Sequence, residues 1–296
     1  SLRADRMAEG DWDGAARALE AEIAQAAGPN QRGQLLLDLG KLYRKQLRRD
    51  NDALLAYERA REDLGDIRDV AQPLYDLYVE RELHEQASDA ARILARTLPK
   101  DMDPEDKASQ LVRFAKVATE ALEDDVALSH LQAALEASPN DVEALPMIAD
   151  LYEKGQQWEE ARKSLSALMM VEKGFGRTDI ALIARLARVS RFAGRDDEAR
   201  RWFEKVLEDQ PDNSEARRHL AAIAESKGNI RRALELLEAV HPEGDDAKVG
   251  HFTRLADLAK SARDDERYET ALRGILGIEG DDHKTLTRLL ELMSTQ

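Results

Sequence analysis

The chain has 296 residues, no cysteine and a formal net charge of −15. These values exclude disulfides, thiolate metal sites and a cysteine nucleophile, and they argue against general binding to nucleic acid or to an anionic membrane, which needs an excess of Lys and Arg. Hydrophobic residues make up 43% of the chain but aromatics only 5%, so a core must be built from Leu, Ala, Ile and Val, in a composition that favours helix.

No alternating run of Val, Ile, Thr and aromatics is long enough for a strand. No apolar run reaches the roughly 18–20 residues of a membrane span, and SLRADRMAEGDW at the start lacks the apolar centre of a signal peptide. Apolar residues at i, i+3, i+4 and i+7 predict amphipathic helices in pairs. Gly10-Asp11-Trp12 followed by Ala15 and Leu19 reads as a second helix, over 12–26, whose first helix is mostly missing. Leu36, Leu39, Gly40 and Tyr43 mark a first helix over 31–47, and Ala53, Tyr57 and Ala60 its partner over 51–64. Further pairs are predicted at 68–82 and 84–98, 104–121 and 124–137, 141–154 and 157–172, 179–193 and 195–209, 213–227 and 229–240, and 247–262 and 265–278, with a lone helix over 282–293.

The pairs keep a register. Ala127, Ala161, Ala199 and Ala233 each sit early in a second helix, 34, 38 and 34 residues apart, and each is followed four residues later by Leu131, Leu165, Phe203 or Leu237. Ala149 and Ala161 are expected to face each other across the turn Lys154-Gly155-Gln156, where small side chains let two helices approach closely. Asp103-Pro104-Glu105 supplies a cap, a proline at the first helical position and an acidic first turn. Pro139-Asn-Asp and Pro211-Asp-Asn-Ser mark two more starts. The connections Pro99–Lys107 and Glu172–Thr178 carry extra residues, so either the array changes pitch there or a loop projects.

Leu39-Gly40-x-x-Tyr43, the set Trp158/Ala161/Leu165, and Trp202-Phe203 with Pro211 resemble the tetratricopeptide repeat family, and the resemblance extends over nearly the whole chain. It implies an all-α fold, a right-handed α-solenoid of antiparallel helix pairs with about seven full repeats plus partial ends. The expected organisation is one array over 1–296, with a partial repeat at 1–30, repeats starting near 33, 68, 108, 142, 180, 214 and 249, and a terminal helix at 282–293, as a fragment of a longer protein. It also implies a non-enzymatic scaffold for protein–protein interaction, its first helices lining a concave groove that takes a peptide or protein segment.

The residues offer no competing chemistry. The six histidines, His84, His130, His219, His241, His251 and His283, form no i, i+4 pair, and no HExxH occurs; no catalytic group, metal or cofactor is expected. Carboxylates are read as solvated faces with i, i+4 ion pairs such as Glu159 with Lys163. The Gly-x-Gly of Lys173–Thr178 follows a helix rather than a strand, which reads as a connector with Phe175 as a small contact point.

Projected onto the first helices, charge falls in bands. Lys41, Arg44 and Lys45 are basic, Asp69, Asp76 and Glu80 acidic, Arg113 and Lys116 basic, and Glu143, Asp150 and Glu153 acidic. Arg185, Arg188 and Arg191 then step along one face, with Arg218 expected beside them and Arg254 and Lys260 beyond. Arginine pairs bidentately with carboxylates, so the partner-binding residues are read as Arg185, Arg188, Arg191, Arg218, Lys41, Arg44, Arg113 and Lys116, and the partner as another protein presenting an acidic segment or C-terminus. The alternative for the arginines is a solvated face paired between units. No nucleic acid and no direct membrane insertion are expected. The chain is read as a monomer or a weak end-to-end dimer through Leu2, Trp12, Leu292 and Met293, in the cytoplasm, or in the periplasm if a signal peptide was removed. A regulatory or sensor arm of a larger signalling or envelope-assembly machine is the alternative role.

Overall fold

A computed structural model describes residues 2–174, 179–280 and 282–295, and among them all regular structure is helical. The chain divides by contacts into two compact units, Ser1–Leu151 and Tyr152–Gln296. The first contains α1 (Leu2–Ala8), α2 (Trp12–Ala24), α3 (Pro29–Leu42, continued by a π-helical turn, Tyr43–Leu47), α4 (Asp50–Leu64), α5 (Arg68–Glu80), α6 (His84–Arg96), α7 (Pro104–Glu120) and α8 (Asp124–Ala137). Helix α9 (Ala144–Lys154) carries the boundary. The second contains α10 (Trp158–Gly174), α11 (Ile180–Phe192), α12 (Asp196–Asp209), α13 (Ser214–Ser226), α14 (Ile230–Glu238), α15 (Asp245–Ala262), α16 (Asp265–Glu279) and α17 (His283–Thr295). Odd-numbered helices are the first members of pairs and even-numbered ones the second.

Within each unit helices pack on their neighbours in sequence: α1 on α2, α3 on α4, α5 on α6 and α7 on α8 in the first, α11 on α12, α13 on α14 and α15 on α16 in the second. The pairs join through second-to-first contacts, α2 with α3, α4 with α5 and α6 with α7, then α10 with α11, α12 with α13, α14 with α15 and α16 with α17. This is the expected all-α fold of consecutive helix pairs. The turn inside each pair contains one residue in the left-handed region. Those residues are Gly10, Arg48, Glu82, Leu122, Gln156, Gly194, Gly228 and Arg263, between 34 and 40 residues apart. Three are glycine, which takes this conformation without penalty. In the turn after α9 the left-handed residue is Gln156 and not its neighbour Gly155.

The recurring alanines hold the pairs together. Ala53, Ala87, Ala127, Ala161, Ala199 and Ala233 are all fully buried, as is Ala149. Leu131, Leu165, Phe203 and Leu237, each four residues on, are buried as well. Gly40 takes this close approach furthest. A Cβ there would lie 2.5 Å from the buried Tyr57 ring, so α3 and α4 touch backbone to aromatic face. Helix starts follow the sequence signals: Asp103 accepts from the Glu105 and Asp106 amides, Asp141 from Glu143 and Ala144, and Asn213 from Ala216.

Four expectations need correction or fall outside the description. Helix α14 ends at Glu238, two residues short of the predicted 240; beyond it the Arg217 guanidinium donates to the Ala239 carbonyl, and the chain runs on through Pro242 to Gly244 in the left-handed region. Glu159 pairs with Arg162 and Arg195 rather than Lys163, which pairs with Glu160; two guanidinium forks outcompete one ammonium. Of the apolar residues expected at the ends, Leu2 and Met293 are exposed, but Leu292 is buried in the second unit's core and Trp12 is half-buried against the first unit's. Phe175 lies outside the described residues.

Candidate functional site

The polar face of the first helices is where the sequence places binding, and side chains there pair from one first helix to the next. In the first unit, Arg3 of α1 reaches Asp38 of α3 at 3.5 Å, Arg44 after α3 reaches Glu80 of α5 at 2.6 Å, and Lys116 of α7 reaches Glu143 before α9 at 2.8 Å. In the second, Arg185 of α11 meets Glu153 at 2.7 Å, Arg188 of α11 meets Glu215 of α13 at 3.0 Å, Arg254 of α15 meets Glu225 of α13 at 2.9 Å, and Arg288 of α17 meets Asp257 of α15 at 2.6 Å. The basic and acidic bands of the sequence are therefore the two halves of a ladder of ion pairs.

The ladder sorts the eight candidates. Arg44, Lys116, Arg185 and Arg188 are rungs, and Arg191 pairs with Asp196 at 2.9 Å in the turn that follows α11. Lys41 lies 3.9 Å from Asp38 on its own helix. Arg113 and Arg218 are exposed and have no hydrogen bond or ion pair among the described residues. The arrangement brings Arg188, Arg191 and Arg218 together around His219; Arg185 is turned towards Glu153.

Histidines were not among the predicted site residues, yet two flank Arg218. His219 is half-buried and stacks flat on Phe203 of α12, with ring centres 4.7 Å apart and planes 7° from parallel. Burial holds its pKa below the ordinary value, Glu215 opposes that, and Arg188, Arg191 and Arg218 add to it. His251 of α15 is lowered by burial and then by Arg218, His241 and Arg254. In the first unit His130 is lowered by burial and by Arg92. Charges separated by one repeat, read as pairs rather than bands, are the sequence signal that would have found the ladder; no sequence signal marks the two histidines.

These shifts predict a pH dependence. The unfolded chain binds protons at all three histidines at higher pH than the folded chain does, so stability is fully present above the ordinary value and falls as pH drops through about 6.5. The melting temperature is expected to be lower at pH 5.5 than at pH 7.5, with the fall reduced in His130→Asn. Melts that superimpose at the two pH values would contradict this.

A cavity of about 710 Å³ opens beside this basic field. It lies at the end of α14, against α15 and α16, with Leu234, Val240, Phe252 and Ala271 as apolar lining and a mixed polar side in which Lys248, Arg267, His241 and His251 stand with the carboxylates Glu238, Asp264 and Glu266. Among the described residues no group of three or more His, Asp and Glu side chains could hold a metal ion, and no helix is long and apolar enough to cross a membrane.

Comparison with known proteins matches this geometry. Residues 193–251, from the turn before α12 into α15, match the tetratricopeptide repeat family. That segment carries the tetratricopeptide repeat signature. The tetratricopeptide fold extends well beyond that segment: the C-terminal part of a TPR repeat-containing protein from Cytophaga hutchinsonii superposes with a TM-score of 0.52 over 86% of this chain and 97% of the other, at 14% identity. A chain in the structure of Naa15/Naa10 bound to HypK-THB gives a TM-score of 0.59 over 89% of this chain and 39% of its own length, also at 14% identity. No curated protein matches by sequence. At these identities the solved structures bear on the fold alone.

Proposed function

We propose that the chain is a non-enzymatic scaffold that binds an acidic segment of another protein on the first-helix face of its second unit. Arg218 is the anchor. Its exposure without a side-chain partner among the described residues, in a chain of net charge −15, carries the reading. An open guanidinium fork favours a carboxylate, and Arg188, Arg191 and Arg218 all act electrostatically on His219, so their positive potentials add at this face. The neighbouring cavity accommodates an apolar residue beside that carboxylate. Stiff packed helix pairs lose little freedom when a segment docks on them.

The test uses fluorescein-labelled acidic peptides and their Gln-for-Glu counterparts, read by anisotropy. Binding of the acidic peptides is expected to weaken by about tenfold or more in Arg218→Glu and to fall steeply with ionic strength. Equal binding of the two peptide sets, or binding unchanged in Arg218→Glu, counts against the proposal.

A further inference from the structure

A second groove, in the first unit, has a different chemistry. It lies between α6, α7 and α8, encloses about 430 Å³ and has an apolar floor that includes Ala95, Leu111 and Ala133. It opens beside the long connection of residues 97–103, where α6 gives way to the Asp103 cap of α7. This side of the repeats is formed largely by second helices, away from the first-helix ladder.

Its rim is cationic and incompletely satisfied. Arg92, Arg96 and Lys107 line it with one lining carboxylate, Asp125. Arg92 is engaged by Asp89 at 3.3 Å and Glu123 at 2.7 Å. The side chains of Arg96 and Lys107 make no hydrogen bond or ion pair among the described residues. The lining also includes His130, which is only 6% exposed yet leaves Nε2 without a hydrogen-bond partner, and the buried Nε of Arg92 is without one too. Buried polar atoms of this kind are rarely left unpaired in a finished protein. Two open cations against one carboxylate leave a local surplus of positive charge in a strongly acidic chain.

We infer that this groove is a second docking site, which takes an acidic residue flanked by bulky apolar ones from a partner protein. The carboxylate sits between Arg96 and Lys107, and the apolar side chains cover Leu111 and Ala133. The inference rests on the reading of the chain as a protein-binding scaffold but not on Arg218.

The probe is a fluorescein-labelled Gly-Ser peptide with a central Phe-Glu-Glu-Leu, set against Phe-Gln-Gln-Leu and a phosphoserine version. It is added to the full chain, to Arg96→Glu/Lys107→Glu and to Arg218→Glu. The first variant replaces two surface side chains that make no internal bond, and its melting temperature is expected to match the parent. Imidazole ¹H–¹⁵N resonances of His130 report on the groove directly. The acidic peptide is expected to shift the His130 signals in the parent and in Arg218→Glu, and to lose at least about tenfold in affinity at this site in the double variant. Absence of a His130 shift, an equal shift by the Gln peptide, or affinity at this site unchanged in the double variant overturns the inference. A shift produced by the phosphoserine peptide alone also overturns it, in favour of a phosphoprotein ligand. Loss of His130 shifts in Arg218→Glu would show one site where two are inferred, whereas normal His130 shifts with no effect of Arg218→Glu on any binding would remove the first-helix proposal and leave this one standing.

Discussion

Phe203→Ala is expected to destabilise the second unit by about 3–5 kcal/mol. Phe203 is 1% exposed and belongs to the core cluster that includes Ala199, Leu220, Leu237 and Leu272. Removing the ring opens a cavity beside α13 and strips His219 of the surface it stacks on. The effect should therefore appear twice. Urea denaturation is expected to show the lost stability, and the His219 pKa is expected to move up towards its ordinary value as water reaches the imidazole. Phe203→Leu, which keeps most of the volume, is expected to cost less than about 1.5 kcal/mol. A loss below about 1 kcal/mol in the alanine variant would mean that Phe203 is not a central packing residue.

Gly40→Val is expected to destabilise the first unit by about 1–3 kcal/mol or more. The new Cβ would sit 2.5 to 2.8 Å from three carbons of the Tyr57 ring. That ring is itself 2% exposed and has no free space to move into. Helix propensity favours valine over glycine slightly, so any net loss understates the steric conflict. Tyr57→Leu in the Gly40→Val background should recover part of the loss, because it removes the atoms that collide. Thermal melts of the two single variants and the double variant measure that coupling; strictly additive effects would rule out the contact as the cause.

Much of the fold was legible because its signals are local. Alanine spacing, apolar periodicity and capping residues such as Asp103 and Asn213 act within one helix or across one turn, and the helices lie within a few residues of their predicted spans. The contact that follows α14 was not legible, since it brings Arg217 of the preceding helix to the Ala239 carbonyl. The chemistry of the first-helix face was half legible. Sequence identifies Arg185, Arg188 and Arg191 as one face of α11, but what they meet lies elsewhere in the chain: Glu153 is 32 residues before Arg185, and Glu215 is 27 after Arg188. Which rungs close, and that Arg218 and Arg113 stay open, depends on how neighbouring helices align. The orphaned Nε2 of His130 has no sequence signature at all, because periodicity marks position 130 as buried without saying which atoms find partners.

The ladder has a kinetic consequence. A carboxylate arriving at Arg188 or Arg191 does not fill an empty place; it displaces Glu215 or Asp196 from the guanidinium. The number of ion pairs is the same before and after, and the released carboxylate stays tethered within reach. Each bound acidic residue therefore faces a competitor at permanently high local concentration. On the proposed reading, docking along the rungs is an exchange of partners, with small changes in free energy and rapid return, and long residence requires sites such as Arg218, which has no internal partner among the described residues. On such a face the lifetime of a complex is governed less by how many charges a partner brings than by how many of them land where no internal carboxylate is waiting.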